Sequence, residues 1–470
     1  MSSSDKQYEE QQEQNRISRR LFLGGAGTAG AVGAASLLGG VAGGAVRETK
    51  PSTLHQHRQA EIAGGNLTAS EIATLKKMVG PINPKFSGKG HTLKIGGAWA
   101  LTGPLVYYFT IQGDGLKLAA EHIKQMGGPT IDLSVQNVGS ATGVDSTLAT
   151  DVALNWASGG VGTAVTFDYD AGGSLIPFVQ QDKIFSIDAG AGVGSFQGQD
   201  YFWGFRGIYP QNYLMQGCAY LRAKNPSFKN VSIVYYTGGQ YTGLNTDIQT
   251  QIQSAGFNVV GNANSQQGST DFSAAIATLR SQNPDIIVLG SSGNDAAYFL
   301  KQYQVSGLTA PIVGDSFSGP QAVVAGAAFE GTYVVQENFL PNSPSNDWGK
   351  IFVKHYRRAN GDQGVNPANS PLNLSAAYYN VAFVLWELAR RVLAKHGNIN
   401  DGEQIQAALM ENLSFPTIFG GKGITPGKVT FDATTHGLAH EPIGIFKVSN
   451  GTLKLVGSAD SGGGPIKVIA

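Results

Sequence analysis

The chain has 470 residues, 41% of them hydrophobic, a formal net charge of +0 and only 14% charged residues against 64 glycines. That length holds two large domains or about three ordinary ones. Neutrality leaves no global field to draw in nucleic acid, and the apolar content excludes a disordered chain. The single cysteine, Cys218, excludes an internal disulfide and a two-cysteine metal site, and reads as a buried core thiol.

Ser18-Arg19-Arg20-Leu21-Phe22-Leu23 is a twin-arginine pattern, and no charge follows it up to Ala45. The run is long enough to span a membrane, but its many glycines and mild hydrophobicity fit an export signal better than a retained anchor. Gly43 and Ala45 suit cleavage before Val46, and no cysteine nearby offers a lipid attachment point. The twin-arginine translocase is therefore the expected export partner, and the expected location is periplasmic or extracellular. Gly25, Gly27 and Gly30 form a G-x-G-x-x-G that follows no strand, so it is not read as a dinucleotide site. Residues 46–91 read as a linker or arm. Within it Thr68-Ala-Ser-Glu71 is a capping box, and Gly80-Pro81 closes one short helix. His55 and His57 sit alone on a polar stretch and carry no metal assignment.

From Thr92 onward, strands alternate with helices. Lys94-Ile95-Gly96 reads as a buried strand. Gly103-Pro104 breaks it, Tyr107-Tyr108-Phe109 follow in a loop, and a helix starts near Gln112. Further strands are expected at Ile131–Val135, 163–167 and Ile184–Ile187, with helices at about 145–158 and 173–182. Phe205–Pro210 reads as a crossover into a second set: helix 211–224, strand Val231–Tyr236, helix 244–255, strand Asn258–Val260, helix 271–281, strand Asp285–Leu289, helix 296–305, and short strands at 311–313 and 332–335. Long helices follow at 347–359 and 375–395 and a shorter one at 402–412. Lys428–Phe431, Ile443–Val448 and Thr452–Val456 read as a β-meander with an Asn450-Gly451 turn. This alternation predicts an α/β protein of two doubly wound, Rossmann-like lobes joined by a hinge. The expected division is lobe 1 at 92–207 and 337–427, lobe 2 at 208–336 and 428–457, and a tail at 458–470.

Catalytic motifs are missing: no G-x-S-x-G, Walker A, H-E-x-x-H or C-x-x-C occurs. Gly314-Asp-Ser-Phe-Ser-Gly-Pro320 is similar to a protease G-D-S-G-G-P, but in an α/β setting. His436 and His440 have no evident nucleophile partner. No catalytic residue, metal or cofactor is expected.

Several short blocks carry a family likeness. Ile95 through Leu101-Thr-Gly-Pro104, Gly115-Leu-Lys-Leu-Ala-Ala-Glu-His-Ile with Gly127-Gly128, Tyr241-Thr-Gly-Leu, Asp271-Phe-Ser, and Pro284-Asp285 with Gly290, Gly307-Leu308 and Pro311 fall in order. This set resembles the type I periplasmic substrate-binding proteins of ABC transporters, in particular the Leu/Ile/Val-binding (branched-chain amino acid) family. The resemblance implies capture of a small polar solute, an amino acid or a related amide or aromatic compound, for delivery to a membrane permease. A ligand-sensing receptor domain and an enzyme on the same scaffold are the alternatives.

Ligands of such folds sit beyond the carboxyl ends of the strands. Trp99, Thr102, Tyr108, Phe167, Asp168, Gly172, Gly173, Ala189 and Gly190 are the candidates from the first lobe. Gly172 and Gly173 are expected to expose backbone N–H groups. Tyr241, Ser292, Asp315 and Phe317 are the candidates from the second. In the family the loops holding a ligand carboxylate usually bring Ser or Thr, whereas this chain has mostly Ala and Gly there. Asp315 is the first candidate for a ligand ammonium, and Asp168 or Asp170 are alternatives.

Overall fold

The computed structural model describes residues 66–103, 106–140, 143–166, 169–190, 192, 195–207, 210–237, 241–266, 268–290, 293–314, 322, 324–360 and 372–469. The arm helix α1 (Ala69–Val79) starts on the anticipated capping box: Glu71 N–H donates to Thr68 Oγ1, and the Glu71 carboxylate accepts from Thr68 N–H. Its buried Leu75 and Met78 lie three apart and turn one stripe inward.

The first lobe then runs β1 (Thr92–Trp99), α2 (Val106–Gln125), β2 (Thr130–Asn137), a short ribbon β3 (Gly139–Ser140) and β4 (Gly143–Val144), α3 (Ser146–Ser158), β5 (Thr163–Thr166), α4 (Tyr169–Gln181), β6 (Phe185–Asp188) and β7 (Phe202–Gly204). Five of its strands form a parallel sheet in the order β2-β1-β5-β6-β7. Each face has its own core, as a doubly wound sheet requires: Ile95, Val165 and Ile187 on one side, Ala98, Ala164 and Phe202 on the other. Gly96 of β1 is obligatory on packing grounds, since a Cβ there would stand 2.5 Å from the Trp156 indole.

The chain crosses to the second lobe after β7. There α5 (Pro210–Lys224), β8 (Asn230–Val234), α6 (Tyr241–Ser254), β9 (Asn258–Asn262), α7 (Ser273–Gln282), β10 (Ile286–Leu289), α8 (Gly293–Gln304), β11 (Ile312–Gly314) and β12 (Tyr333–Glu337) follow. It returns to the first lobe with α9 (Asp347–Asn360), α10 (Leu372–Ala394), α11 (Gly402–Glu411), β13 (Ser414–Lys422), β14 (Thr425–Phe431) and β15 (Leu438–His440), and crosses back with β16 (Pro442–Ser449), β17 (Thr452–Asp460) and β18 (Lys467–Val468). The second sheet has the order β18-β17-β16-β12-β11-β10-β8-β9, parallel from β12 to β9 and antiparallel beyond. Asn450 and Gly451 both take positive φ, 53° and 66°, and close the β16–β17 hairpin.

The structure corrects four expectations. Lys428–Phe431 joins no meander with β16. It lies in β14, in a separate three-stranded sheet β13-β14-β15 whose Phe415, Val429, Phe431 and Leu438 enter the first lobe's core. Past residue 457 the chain still belongs to the second sheet, because β18 pairs with β17. Helix α2 begins at Val106, so Tyr107 and Tyr108 stand in its first turn and not in a loop. Helix α4 begins at Tyr169, which puts Gly172 and Gly173 inside it. Only the first four N–H groups of a helix lack an internal partner, so the Gly173 N–H is not available as expected. The carbonyl of Gly173 is instead relieved of its helical bond, because the residue four ahead is Pro177.

Candidate functional site

The carboxyl ends of the first-lobe strands are fastened by short-range polar bonds. Asn137, the last residue of β2, accepts from the N–H groups of Leu101 (2.8 Å) and Gly139 (3.0 Å), and its Nδ2 donates to the Gly139 carbonyl. Thr102 is exposed and its hydroxyl donates to the same carbonyl at 2.7 Å. Asn137 therefore fastens the start of the loop after β1 to the Gly139 turn. At the end of β6 the buried Asp188 accepts from Thr166 Oγ1 at 2.5 Å and from Gly190 N–H at 2.7 Å. Tyr378, on α10, donates to the Thr166 carbonyl at 2.9 Å. One carboxylate thus ties two neighbouring strand ends and fixes the Ala189–Gly190 turn, where Ala189 is buried and Gly190 half-buried.

In the second lobe Tyr236 follows β8 and bonds Asp295, in the first turn of α8. Asp295 also accepts from Gly268 N–H at 2.6 Å. Burial pushes its carboxyl above the usual range, against the pull of these bonds. Gly290, the residue after β10, packs against the Tyr235 ring, where a Cβ would meet the ring at 2.8 Å.

Of the anticipated contacts, Thr102, Ala189 and Gly190 stand at these ends, and Gly173 lies within α4. Trp99 is 2% exposed, lies over Gly113 of α2, and has the Lys117 ammonium 5.2 Å from its ring centre. Tyr108, Gly172 and Tyr241 are placed only as backbone positions, in the first turns of α2, α4 and α6. Phe167, Asp168, Ser292, Asp315 and Phe317 lie outside the described residues. Asn137, Asp188, Tyr236 and Asp295 were missed. The available signal was a polar residue at, or just beyond, the carboxyl end of a strand.

The lobes are joined where the chain crosses between them, near Arg206, after Glu337 and before Glu441. These three residues meet. Arg206 Nε donates to Glu337 Oε1 at 2.7 Å, and Gly207 N–H donates to Glu441 Oε2 at 2.7 Å. Glu337 and Glu441 are buried, and Oε1 of Glu441 has no hydrogen-bond partner among the described residues. Burial first, and then the Glu337 charge, push the Glu441 carboxyl well above the carboxylate range, which favours its neutral form. At the rim His440 Nδ1 and Asp460 Oδ1 are 2.7 Å apart.

Two doubly wound lobes connected by three crossing segments define a class, the type I two-lobe binding proteins. The chain belongs to the periplasmic binding protein family, whose model matches residues 92–452; the arm lies before that span. It is 30% identical over 155 residues to Leu/Ile/Val-binding protein homolog 1 of Brucella suis and of Brucella melitensis. That alignment covers 33% of this chain and 38% of each relative. A leucine-binding protein of Thermotoga maritima superposes with a TM-score of 0.62 at 19% identity, over 78% of this chain and 98% of its own. An R. palustris solute-binding protein in complex with 4-hydroxybenzoate gives 0.62 at 18% (78% and 97% covered). A Streptococcus pneumoniae branched-chain amino acid transporter substrate-binding protein in complex with isoleucine gives 0.61 at 19% (80% and 99%). At these identities the likeness is one of fold. Among the described residues no helix is long and apolar enough to cross a membrane.

Proposed function

We propose that the chain is exported through its twin-arginine leader and captures a small polar solute, an amino acid or a related amide or aromatic compound, between its lobes for an ABC importer. The family match over residues 92–452 carries this reading. Solute contacting both lobes shifts the population toward a closed form, and that form docks on the permease. Thr102, the Ala189–Gly190 turn and the first turn of α4 supply the first-lobe wall, with Asn137 and Asp188 holding it in shape. Tyr241, Ser292, Asp315 and Phe317 are assigned to the second-lobe wall, with Asp315 as partner of a ligand amine.

The neighbours that hold isoleucine and 4-hydroxybenzoate set the test panel: aliphatic amino acids, their amides, and aromatic acids. Isothermal titration is expected to give saturable heat with at least one of them. No heat and no thermal shift with any would defeat the reading. With a ligand in hand, Asp315→Asn is expected to weaken an amine-bearing solute by about 2 kcal/mol, roughly thirtyfold. An unchanged affinity removes Asp315 from the site.

A further inference from the structure

Apart from the crossing segments themselves, the turn between β17 and β18, residues 461–466, also touches both lobes. It lies past residue 452, where the family match stops. The turn is built into the second lobe. Asp460 before it pairs with Pro442 of β16, and β18 after it pairs with β17. Ala459 and Ile466 pack on that lobe's core.

Its polar contacts reach the other way. His440 is the last residue of β15 and pairs with Thr430 of β14, so it belongs to the first lobe. Its Nδ1 lies 2.7 Å from Asp460 Oδ1, and Gly462 N–H donates to the same oxygen at 2.8 Å. Gly462 lies flat on the β15 strand. A Cβ there would stand 2.5 Å from the Ala439 carbonyl oxygen and 2.6 Å from the His440 ring. Between His440 of the first lobe and Pro442 of the second, only Glu441 is left to change direction. The contact from His440 to Asp460 therefore crosses the pivot. Ser461 sits deeper. Its N–H donates to the Glu441 carbonyl at 3.0 Å. At Gly207, the residue after Arg206, a Cβ would stand 2.3 Å from Ser461 Oγ and 3.0 Å from the Glu441 Cβ. Ser461 is thus wedged between two of the three crossing segments at their turning points. Packing this close does not deform continuously, so a rotation of the lobes has to displace Ser461 and part His440 from Asp460.

We infer that this turn is a latch on the hinge, holding the lobes near the angle seen here and limiting how far they swing. The inference rests on lobe motion about the crossings, which solute capture also requires. An exposed pair such as His440 with Asp460 restrains little by itself, so the wedge of Ser461 and Gly462 carries most of the effect. The test is the distance between spin labels on the two lobes of the full chain. One pair is Asp151→Cys with Lys301→Cys, the other Lys124→Cys with Ser254→Cys; all four positions are exposed. Cys218 is buried, and burial pushes its thiol up to about 12, so it takes no label. Each pair is expected to give one narrow distance. Adding His440→Ala with Asp460→Ala is expected to raise the share of a second distance by about fivefold. Gly462→Val, which lifts the turn off β15, is expected to raise it further. Lys183→Gln with Glu403→Gln removes an exposed pair of the same 2.7 Å length within the first lobe and is expected to change neither distance. Broad distances in the parent, distances unchanged in both latch variants, or equal broadening in the control would each overturn the latch. The distances need no solute, so a chain that gives no heat with the solute panel still reports on it.

Discussion

Two buried polar clusters differ in sense. One is the seam between the arm and the first lobe, where Glu71 of α1 meets Lys354 at 2.7 Å and His355 at 3.2 Å on α9. Behind them the His122 ring stands edge-on to His355 with centroids 5.0 Å apart, and its Nδ1 is 2.8 Å from Tyr379 Oη. The other is the hinge, with Arg206, Glu337 and Glu441. The seam holds a carboxylate in its charged form and a histidine in its neutral form. The hinge holds a carboxyl in its neutral form. In the seam, protonation is resisted; in the hinge, deprotonation is. Buried groups of this kind make stability depend on pH, and the direction follows from which folded-state form is favoured. The seam therefore weakens in acid and the hinge weakens toward alkali.

The largest effect is expected at His122. Burial first, and then the neighbouring His355, push it from 6.5 down to about 3. Between those values the unfolded chain binds a proton that the folded chain refuses. Stability is then complete above the unfolded value and falls as pH drops through the window, by about 3–5 kcal/mol in all. Urea unfolding at a series of pH values reads this directly. His122→Asn keeps a polar partner for Tyr379 and removes the titration, so its acid limb is expected to be much flatter. An acid limb as steep as that of the unchanged protein would show that the seam does not respond to protons in this way.

The hinge is expected to move the other way. The folded Glu441 carboxyl keeps its proton above 4.5, its ordinary value, while the unfolded one has lost it. Stability is complete below that value and falls as pH rises toward the folded one. The charges that face Glu441 are Arg206, Glu337 and Asp460. Glu441→Gln keeps the neutral shape, so it is expected to match the parent in mild acid and to exceed it as pH rises. If both proteins change stability in parallel as pH rises above 4.5, the neutral acid is not the form at the hinge.

Neither cluster was legible in the sequence, although the fold was. The strand–helix alternation fixes both sheets, because periods of 2 and 3.6 are local properties. Helix starts were harder: Tyr169–Gly173 and Val106–Tyr108 follow glycine-rich or proline-bearing stretches that read as loop. The sheet of β13 to β15 was hidden because Pro416, Gly420 and Gly421 interrupt the alternation, and Gly420 and Gly421 both have positive φ. The site was legible only as strand-end loops. Its supports were not, since Asn137 and Asp188 act through bonds that need the strands side by side. The hinge pairs are further apart still, 131 positions for Arg206 with Glu337 and 234 for Gly207 with Glu441. The crossover at Phe205–Pro210 was recognised without its arginine being given a partner.

The smallest expected effect sharpens the contrast within the seam itself. Glu71 is half-buried; that burial acts to raise its carboxyl, but the bonds from Lys354, the Thr68 backbone and His355 outweigh it and hold it at about 2. Its folded value lies below the ordinary 4.5, so its contribution is present above 4.5 and is lost as pH falls toward 2. Screening at this partly open site keeps the contribution to about 1–2 kcal/mol. The same residue closes the capping box of α1, so Glu71→Gln is expected to act locally on residues 69–79. Hydrogen exchange at neutral pH is expected to show faster exchange in α1 and unchanged exchange in α10. In the His122→Asn background, lowering the pH from 5 toward 3 is expected to reproduce that pattern (about the window of the shift). Loss of protection throughout the first lobe would mean that the arm and His122 open as one unit, and the seam would then be part of the lobe's own core.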